Sequence, residues 1–143
     1  MMGYNVNISV ENIWNYSKKF LTGFTVSNTV RHRDANEYST TSTSYIRIKK
    51  YLISGCGRIR IKYKLRTSNS NSICYVAIYK NGSIEDEKHT PGITYSEESV
   101  DIDVNNSDVI EIKLRGTNSS YDVYISDIRI CYDLVNGGVT EVD

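Results

Sequence analysis

From Arg58 to Arg66 the chain alternates without a break, with Ile59, Ile61, Tyr63 and Leu65 on one side and Arg58, Arg60, Lys62, Lys64 and Arg66 on the other. Period two places successive side chains on opposite faces of an extended strand, so this segment is predicted to lay one face on a core and turn the other outward. The same rhythm returns in Ser99 to Val104, with Val100, Ile102 and Val104 inward and Asp101 and Asp103 outward, and in Val109 to Arg115, with Ile110, Ile112 and Leu114 inward. Ile73 to Lys80 sets Cys74, Val76 and Ile78 opposite Tyr75, Ala77 and Tyr79. Val123 to Tyr132 is a last long strand whose apolar phase slips near Ser126-Asp127, where a bulge restores it. Asn81-Gly82 is a two-residue hairpin signal.

The remaining segments are less regular. Tyr45 to Ile53 reads as a strand with Ile46, Ile48 and Leu52 on one face, followed by a turn at Gly55-Cys56-Gly57. Thr22 to Arg33 reads as an edge strand ending in a polar stretch. Asp34 to Thr43 is rich in turn formers, with Tyr38 the residue there that suits a sheet, and Ser83 to Tyr95, carrying Pro91-Gly92, reads as irregular. Residues 5–21 fit two patterns. Val6, Ile8 and Val10 alternate like a short strand or arm, whereas Val10, Ile13, Trp14, Ser17, Phe20 and Leu21 fall near helical spacing behind a Ser9 cap. A short arm followed by a helical turn is expected there, with Trp14 and Phe20 as packing contacts.

About eight short antiparallel strands in one domain make an all-β sandwich of jelly-roll type, with a short N-terminal arm or helix. The expected organisation is the arm over 1–22, the sandwich over 23–135 and a flexible tail over 136–143, where Asn136-Gly137-Gly138 loosens the chain. A weak internal echo runs through the strands: Tyr45 to Gly82 and Tyr95 to Tyr132 share an order of strand, turn, charged strand, Ser/Asn loop and Tyr-bearing strand, with Leu65-Arg66 matching Leu114-Arg115. Two similar halves forming two facing sheets account for it, and so does shared β composition.

Composition narrows the function. Lys and Arg number 17, Asp and Glu 17, so the formal net charge is zero. A general nucleic-acid binder carries excess positive charge, and none is expected to bind here. Zero net charge also removes a barrier to self-association, and a homo-oligomer is expected. The opening Met1-Met2-Gly3-Tyr4 is not a basic region followed by an apolar run, and no stretch is long enough to span a membrane. The cysteines, Cys56, Cys74 and Cys131, match no zinc or CxxC spacing and are expected to be reduced and partly buried, with Cys74 and Cys131 the pair placed to become neighbours.

No catalytic or metal constellation stands out, and no cofactor is expected. Asp101, Asp103, Asn105 and Asp108 lack the central Gly and final Glu of a calcium loop. His32 and His89 sit in no motif, and Glu85, Asp86, Glu87, Glu97 and Glu98 read as a solvated acidic region. The cationic row of Arg58 to Arg66 reads as an outer sheet face with Asp101, Asp103 and Glu111 available across it. The 12 tyrosines are the better binding candidates, against 2 Phe and 1 Trp. Tyr75 and Tyr79 share a strand face, Tyr45 and Tyr51 are read as sharing another, and Tyr121 and Tyr124 follow the second polar loop. Exposed, these rings suit subunit contacts or stacking on sugars, and buried they fill a core. The loops "RTSNSNS" and "GTNSSYD" are placed to set specificity.

Thr41 to Arg47, Gly57 to Lys62 and Ile78 to Gly82, followed by Val104, Asn105, Asp108 and Ile110, carry a resemblance. Over Thr40 to Tyr132 the chain resembles β-sandwich modules of virion and tail-associated proteins from phages of Gram-positive, clostridia-like hosts. That resemblance implies a non-catalytic structural or adhesive part of a phage or phage-tail-like particle, made in the bacterial cytoplasm and incorporated into the virion. Other particle proteins and cell-surface glycan are the partners it implies, and a carbohydrate-binding module is the alternative function.

Overall fold

The computed structural model describes residues 26–134 and 137–143. The expected N-terminal arm or helix, with Trp14 and Phe20, lies outside the described residues. Regular structure within them is all strand: β1 Val30–Thr40, β2 Ile46–Ile53, β3 Gly57–Thr67, β4 Cys74–Lys80, β5 Ser83–Thr90, β6 Ser96–Val104, β7 Val109–Arg115, β8 Val123–Tyr132 and β9 Val139–Val142. They form two antiparallel sheets, one ordered β1-β8-β3-β6 and one ordered β5-β4-β7-β2-β9. The first eight strands change sheet at every connection except the β4–β5 hairpin, in jelly-roll fashion, and β9 adds a fifth strand beside β2.

The central strands supply the core because they alternate most strictly. Ile59, Ile61 and Leu65 of β3, with Ile125, Ile128 and Ile130 of the neighbouring β8, face Val76 and Ile78 of β4 and Ile110, Ile112 and Leu114 of β7 in the other sheet, all shielded from water. Each such side chain contributes roughly 1.5–3 kcal/mol on burial. The predicted bulge in β8 is present. Asp127 adopts φ 51°, and the β3 register jumps there between Lys62 opposite Arg129 and Lys64 opposite Ser126. Asn81 and Gly82 both take positive φ, 53° and 86°, as a primed hairpin turn between β4 and β5 requires.

Four local expectations are corrected. Asp34 to Thr40 is not a turn region but the second part of β1, paired with β8 from Ile128 to Val123. Ser83–Thr90 is strand β5, paired along β4, and Pro91 follows its end. Both are edge strands, whose backbone pairing on one side does not demand an apolar face, and charge on an edge discourages further pairing. In β2, a register shift between Arg47 and Lys49 reverses the phase. Tyr51 and Ile53 are therefore buried while Leu52 is 43 % exposed, and Tyr45 and Tyr51 do not share a face. Finally, the tail expected to be flexible forms β9 against Lys50 to Ile53. Gly137 permits this approach, since a Cβ there would fall 1.9 Å from the Ser54 carbonyl oxygen, and the Ser54 amide donates to Gly138 O at 2.9 Å.

The cysteines are buried. Cys74 and Cys131 belong to opposite sheets and are not bonded to each other. The Cys74 Sγ lies 3.6 Å from the Tyr124 carbonyl oxygen, and burial pushes its thiol up to about 12.

The internal echo has a structural counterpart. The halves β1–β4 and β5–β8 each contribute two strands to each sheet, so neither half makes a sheet alone. Equivalent hydrogen bonds recur about 50 positions apart. The Ser42 amide donates to Thr40 Oγ1 at 3.0 Å and the Gly92 amide to Thr90 Oγ1 at 3.1 Å. The Gly116 amide donates to Ser42 O at 2.8 Å and the Thr67 amide to Gly92 O at 2.9 Å. Asn69 and Asn118 each accept from the amide two residues on, at 2.9 Å.

Candidate functional site

The outward positions of the five-stranded sheet hold an aromatic and cationic cluster. Alternation in β4 turns Tyr75 and Tyr79 outward while Cys74, Val76 and Ile78 enter the core. Register then sets His89 of β5 and Arg115 of β7 on either side of Tyr75. The His89 and Tyr75 rings stack at 5.2 Å, and the Arg115 guanidinium lies 4.0 Å from the Tyr75 centroid. Tyr45, just before β2, reaches over the sheet from the other side. Its ring lies 5.1 Å from Arg115 and meets Tyr79 edge-on at 6.1 Å, and its hydroxyl donates to Glu87. Glu87 is registered opposite Ala77, the small residue between Tyr75 and Tyr79, which leaves room for that crossing and is itself fully buried. Lys113 Nζ completes the set, 4.1 Å from the Tyr79 ring. Burial and then the Glu87 carboxylate raise the Tyr45 hydroxyl above the ordinary tyrosine range, so it stays protonated and donating.

A related clamp occupies the outer face of the four-stranded sheet. Arg66 lies 3.8 Å from the Tyr124 ring and 5.2 Å from the Tyr95 ring. Tyr95 donates its hydroxyl to Glu37. Arg66, Tyr124, Tyr95 and Glu37 thus repeat Arg115, Tyr75, Tyr45 and Glu87, with Arg66 registered against Tyr124 as Arg115 is against Tyr75. The tyrosines singled out from sequence are therefore divided. Tyr75 and Tyr79 share one sheet face, Tyr124 is on the opposite face, and Tyr121 sits in the β7–β8 loop, where its amide donates to Asn118 O.

The two clamps differ in charge. Arg66 is 3.6 Å from Glu37, and the cations beside it are paired across strands: Arg58 with Asp103 at 2.7 Å, Arg60 with Asp101 at 2.8 Å, and Arg129 with Glu97 at 2.6 Å. The charged row of β3 is the outer face that alternation predicted. Glu111, expected as another partner, instead lies on the other sheet, 3.8 Å from Arg47. On that sheet Arg115 and Lys113 have tyrosine rings as neighbours, and the Arg115 guanidinium donates to Gly116 O at 3.4 Å and to the Tyr45 hydroxyl.

The Ser/Asn loops also meet. The Ile73 amide donates to Thr117 Oγ1 at 2.9 Å and the Thr117 amide to Ser72 Oγ at 3.3 Å, joining "RTSNSNS" to "GTNSSYD" at the end of the sandwich nearest both clamps. The remaining chemical candidates are dispersed. His32 Nε2 is 3.1 Å from the Tyr132 hydroxyl. Asp101 and Asp103 are engaged by arginines, and Asp108 accepts from the Asn105 amide at 2.8 Å. Glu85 pairs with Lys80 at 3.2 Å and Asp86 with Lys88 at 3.4 Å. Among the described residues no group of His, Cys, Asp and Glu is arranged to hold a metal. A hollow of about 310 Å³ lined by Arg31, Tyr132, Asp133, Leu134 and Gly137 opens elsewhere.

No family model matches this chain, and no curated protein matches it. Similar solved structures exist. A CBM36-1 domain of a multidomain xylanase from the hindgut metagenome of Trinervitermes trinervoides is 14% identical with a TM-score of 0.49, over 82% of this chain and 95% of that one. The top component of cowpea mosaic virus, a naturally occurring empty particle, is 7% identical with a TM-score of 0.41, over 78% and 88%. A carbohydrate-binding module, CBM6cm-2, of Cellvibrio mixtus lichenase 5A in complex with cellotriose is 12% identical with a TM-score of 0.37, over 76% and 95%. At these values they transfer no residue role or ligand to this chain.

Proposed function

We propose that this chain is a non-catalytic component of a phage or phage-like particle that acts by subunit assembly and by contact with a surface. Its contact surface is the outer face of the five-stranded sheet. The observation that carries the contact face is the continuous set of Tyr45, Tyr75, Tyr79 and His89, held in place by Arg115, Lys113 and Glu87. Rigid aromatic side chains with polar tips bury large area at low entropic cost, which suits recognition. The particle assignment rests on the resemblance over Thr40 to Tyr132.

Mass spectrometry of gradient-purified particles, with copy number measured against the major structural proteins, tests the particle role. A fixed stoichiometry supports it, and absence from intact particles while the protein is present in the same lysate rejects it. A second reading, a carbohydrate-binding module, is favoured by one feature: hydrogen-bonding groups of Arg115, Lys113 and Glu87 adjoin tyrosine rings, and a sugar needs both a stacking surface and polar partners. Glycan binding by the free chain, lost in Tyr75→Ala or Tyr79→Ala, separates that reading from assembly alone.

A further inference from the structure

The two Arg–Tyr clamps are copies of one arrangement, yet only one is neutralised from within. From this difference we infer that the Arg115 clamp, with Lys113, is a binding site for an anionic saccharide, a sugar ring bearing a carboxylate or phosphate, and that the Arg66 clamp is its structural counterpart. This rests on reading the same face as the contact surface.

Arg115 is flanked by the rings of Tyr75 and Tyr45, and Lys113 caps the ring of Tyr79. A cation on an exposed ring gains only about 0.5–1 kcal/mol, too little to satisfy its charge. It does fix the side chain, so less rotamer freedom is lost when a ligand arrives. The edges of the guanidinium carry its N–H donors, and among the described residues no carboxylate pairs with them. A carboxylate or phosphate is the group that a guanidinium fork recognises. The half-exposed Tyr75 and Tyr79 rings and the exposed His89 beside these cations offer surface on which a sugar ring can lie. At Arg66 the equivalent charge is met by Glu37 at 3.6 Å, within a face laced by ion pairs. An arriving anion there would have to displace a carboxylate already in place.

The test is a nuclear magnetic resonance titration of the full chain with trigalacturonate, glucose 6-phosphate, inorganic phosphate and maltotriose. Trigalacturonate or glucose 6-phosphate is expected to shift resonances on β4 and β7, with affinity falling as salt rises. Whichever of the two binds tighter identifies the anionic group. Maltotriose and inorganic phosphate are expected to bind at least about tenfold more weakly, since each lacks one of the two recognised parts. Arg115→Gln and Lys113→Gln are each expected to weaken the charged saccharide by about tenfold, while Arg66→Gln leaves it unchanged. Melting curves confirm that each variant is folded. Equal binding of maltotriose or inorganic phosphate, or indifference to Arg115→Gln and Lys113→Gln while Tyr75→Ala or Tyr79→Ala abolishes binding, overturns the anionic-saccharide site and leaves the contact face standing. No response on this face to any probe, or binding insensitive to the tyrosine variants, overturns the anionic-saccharide site and the carbohydrate-binding reading together, while the assembly role stands or falls on particle stoichiometry.

Discussion

Lys49 Nζ lies 2.6 Å from Asp34 Oδ2, so an ammonium on β2 of one sheet is tied to a carboxylate on β1 of the other. Glu141 of β9 adds a second contact at 2.9 Å, and Tyr38 places its ring 5.3 Å from the same nitrogen. The Lys49 side chain is only 10 % exposed, and removing it strands two carboxylates in a partly dry place. Lys49→Met is expected to cost about 2–3 kcal/mol in urea unfolding, less than a fully buried pair because Glu141 remains half exposed.

The same cluster predicts acid sensitivity. Burial acts to raise the Asp34 pKa, but the Lys49 ammonium, the Tyr38 hydroxyl and the Asn36 amide outweigh it and hold the carboxyl at about 2, from an ordinary 3.8. A depressed carboxylate contributes stability that is complete above its unfolded value and is lost as pH falls through the folded one. Stability should therefore decline between about pH 4 and pH 2, by on the order of 1–2 kcal/mol from this group after solvent screening. Asp34→Asn should flatten that part of the profile in denaturant titrations at successive pH values. An unchanged slope would show that the pair does not form in solution.

Gly137→Ala tests how β9 is held. The new methyl meets the Ser54 carbonyl, and the strand must shift away. A loss of about 1–3 kcal/mol is expected, with faster hydrogen exchange at the Ser54 amide, whose acceptor is Gly138 O. Native-state exchange reads both, and exchange at wild-type rates would mean that β9 docks without needing this glycine.

Ala77→Leu tests the crossing of Tyr45 over the sheet. A larger side chain between Tyr75 and Tyr79 should lift the Tyr45 ring from Tyr79, at about 1–2 kcal/mol of stability. Nuclear Overhauser contacts between the two rings report the displacement directly. Contacts retained in the variant would place the Tyr45 ring elsewhere.

Cys74 should be chemically silent in the folded protein. Burial pushes its thiol to about 12, so at pH 8 it has neither thiolate nor access. Alkylation followed by peptide mass spectrometry should label Cys74 only after unfolding. Rapid labelling under native conditions would show that β4 opens locally.

Much of the sandwich was legible in the chain because a half-buried strand must alternate. The strict period two of Arg58 to Arg66, Ser99 to Val104 and Val109 to Arg115 marked β3, β6 and β7 and which side of each is core, whereas Ile73 to Lys80 marked β4 but, with apolar residues on both faces, left its core side open. The slip at Ser126-Asp127 announced its bulge in the same way. Strands β1, β5 and β9 gave weaker signals. They lie at sheet edges, where backbone pairing with one neighbour does the holding and side chains need not be apolar. The register shift in β2 was hidden because either phase of Ile46 to Ile53 offers apolar residues, and only the pairing with β7 decides between Leu52 and Tyr51.

For the candidate site, sequence alone determined that Tyr75 and Tyr79 point to one side of one strand and that Leu-Arg recurs before each Ser/Asn loop. Tertiary structure decided the rest. It set Arg115 and His89 against Tyr75, carried Tyr45 over Ala77 to Glu87, and sent Tyr124 to the opposite face. It also separated two similar clamps by charge, giving Arg66 the Glu37 carboxylate and leaving Arg115 with rings. The physical reason is that alternation is a property of one strand, readable from its neighbours in sequence, whereas a binding face is a property of register between strands far apart in the chain.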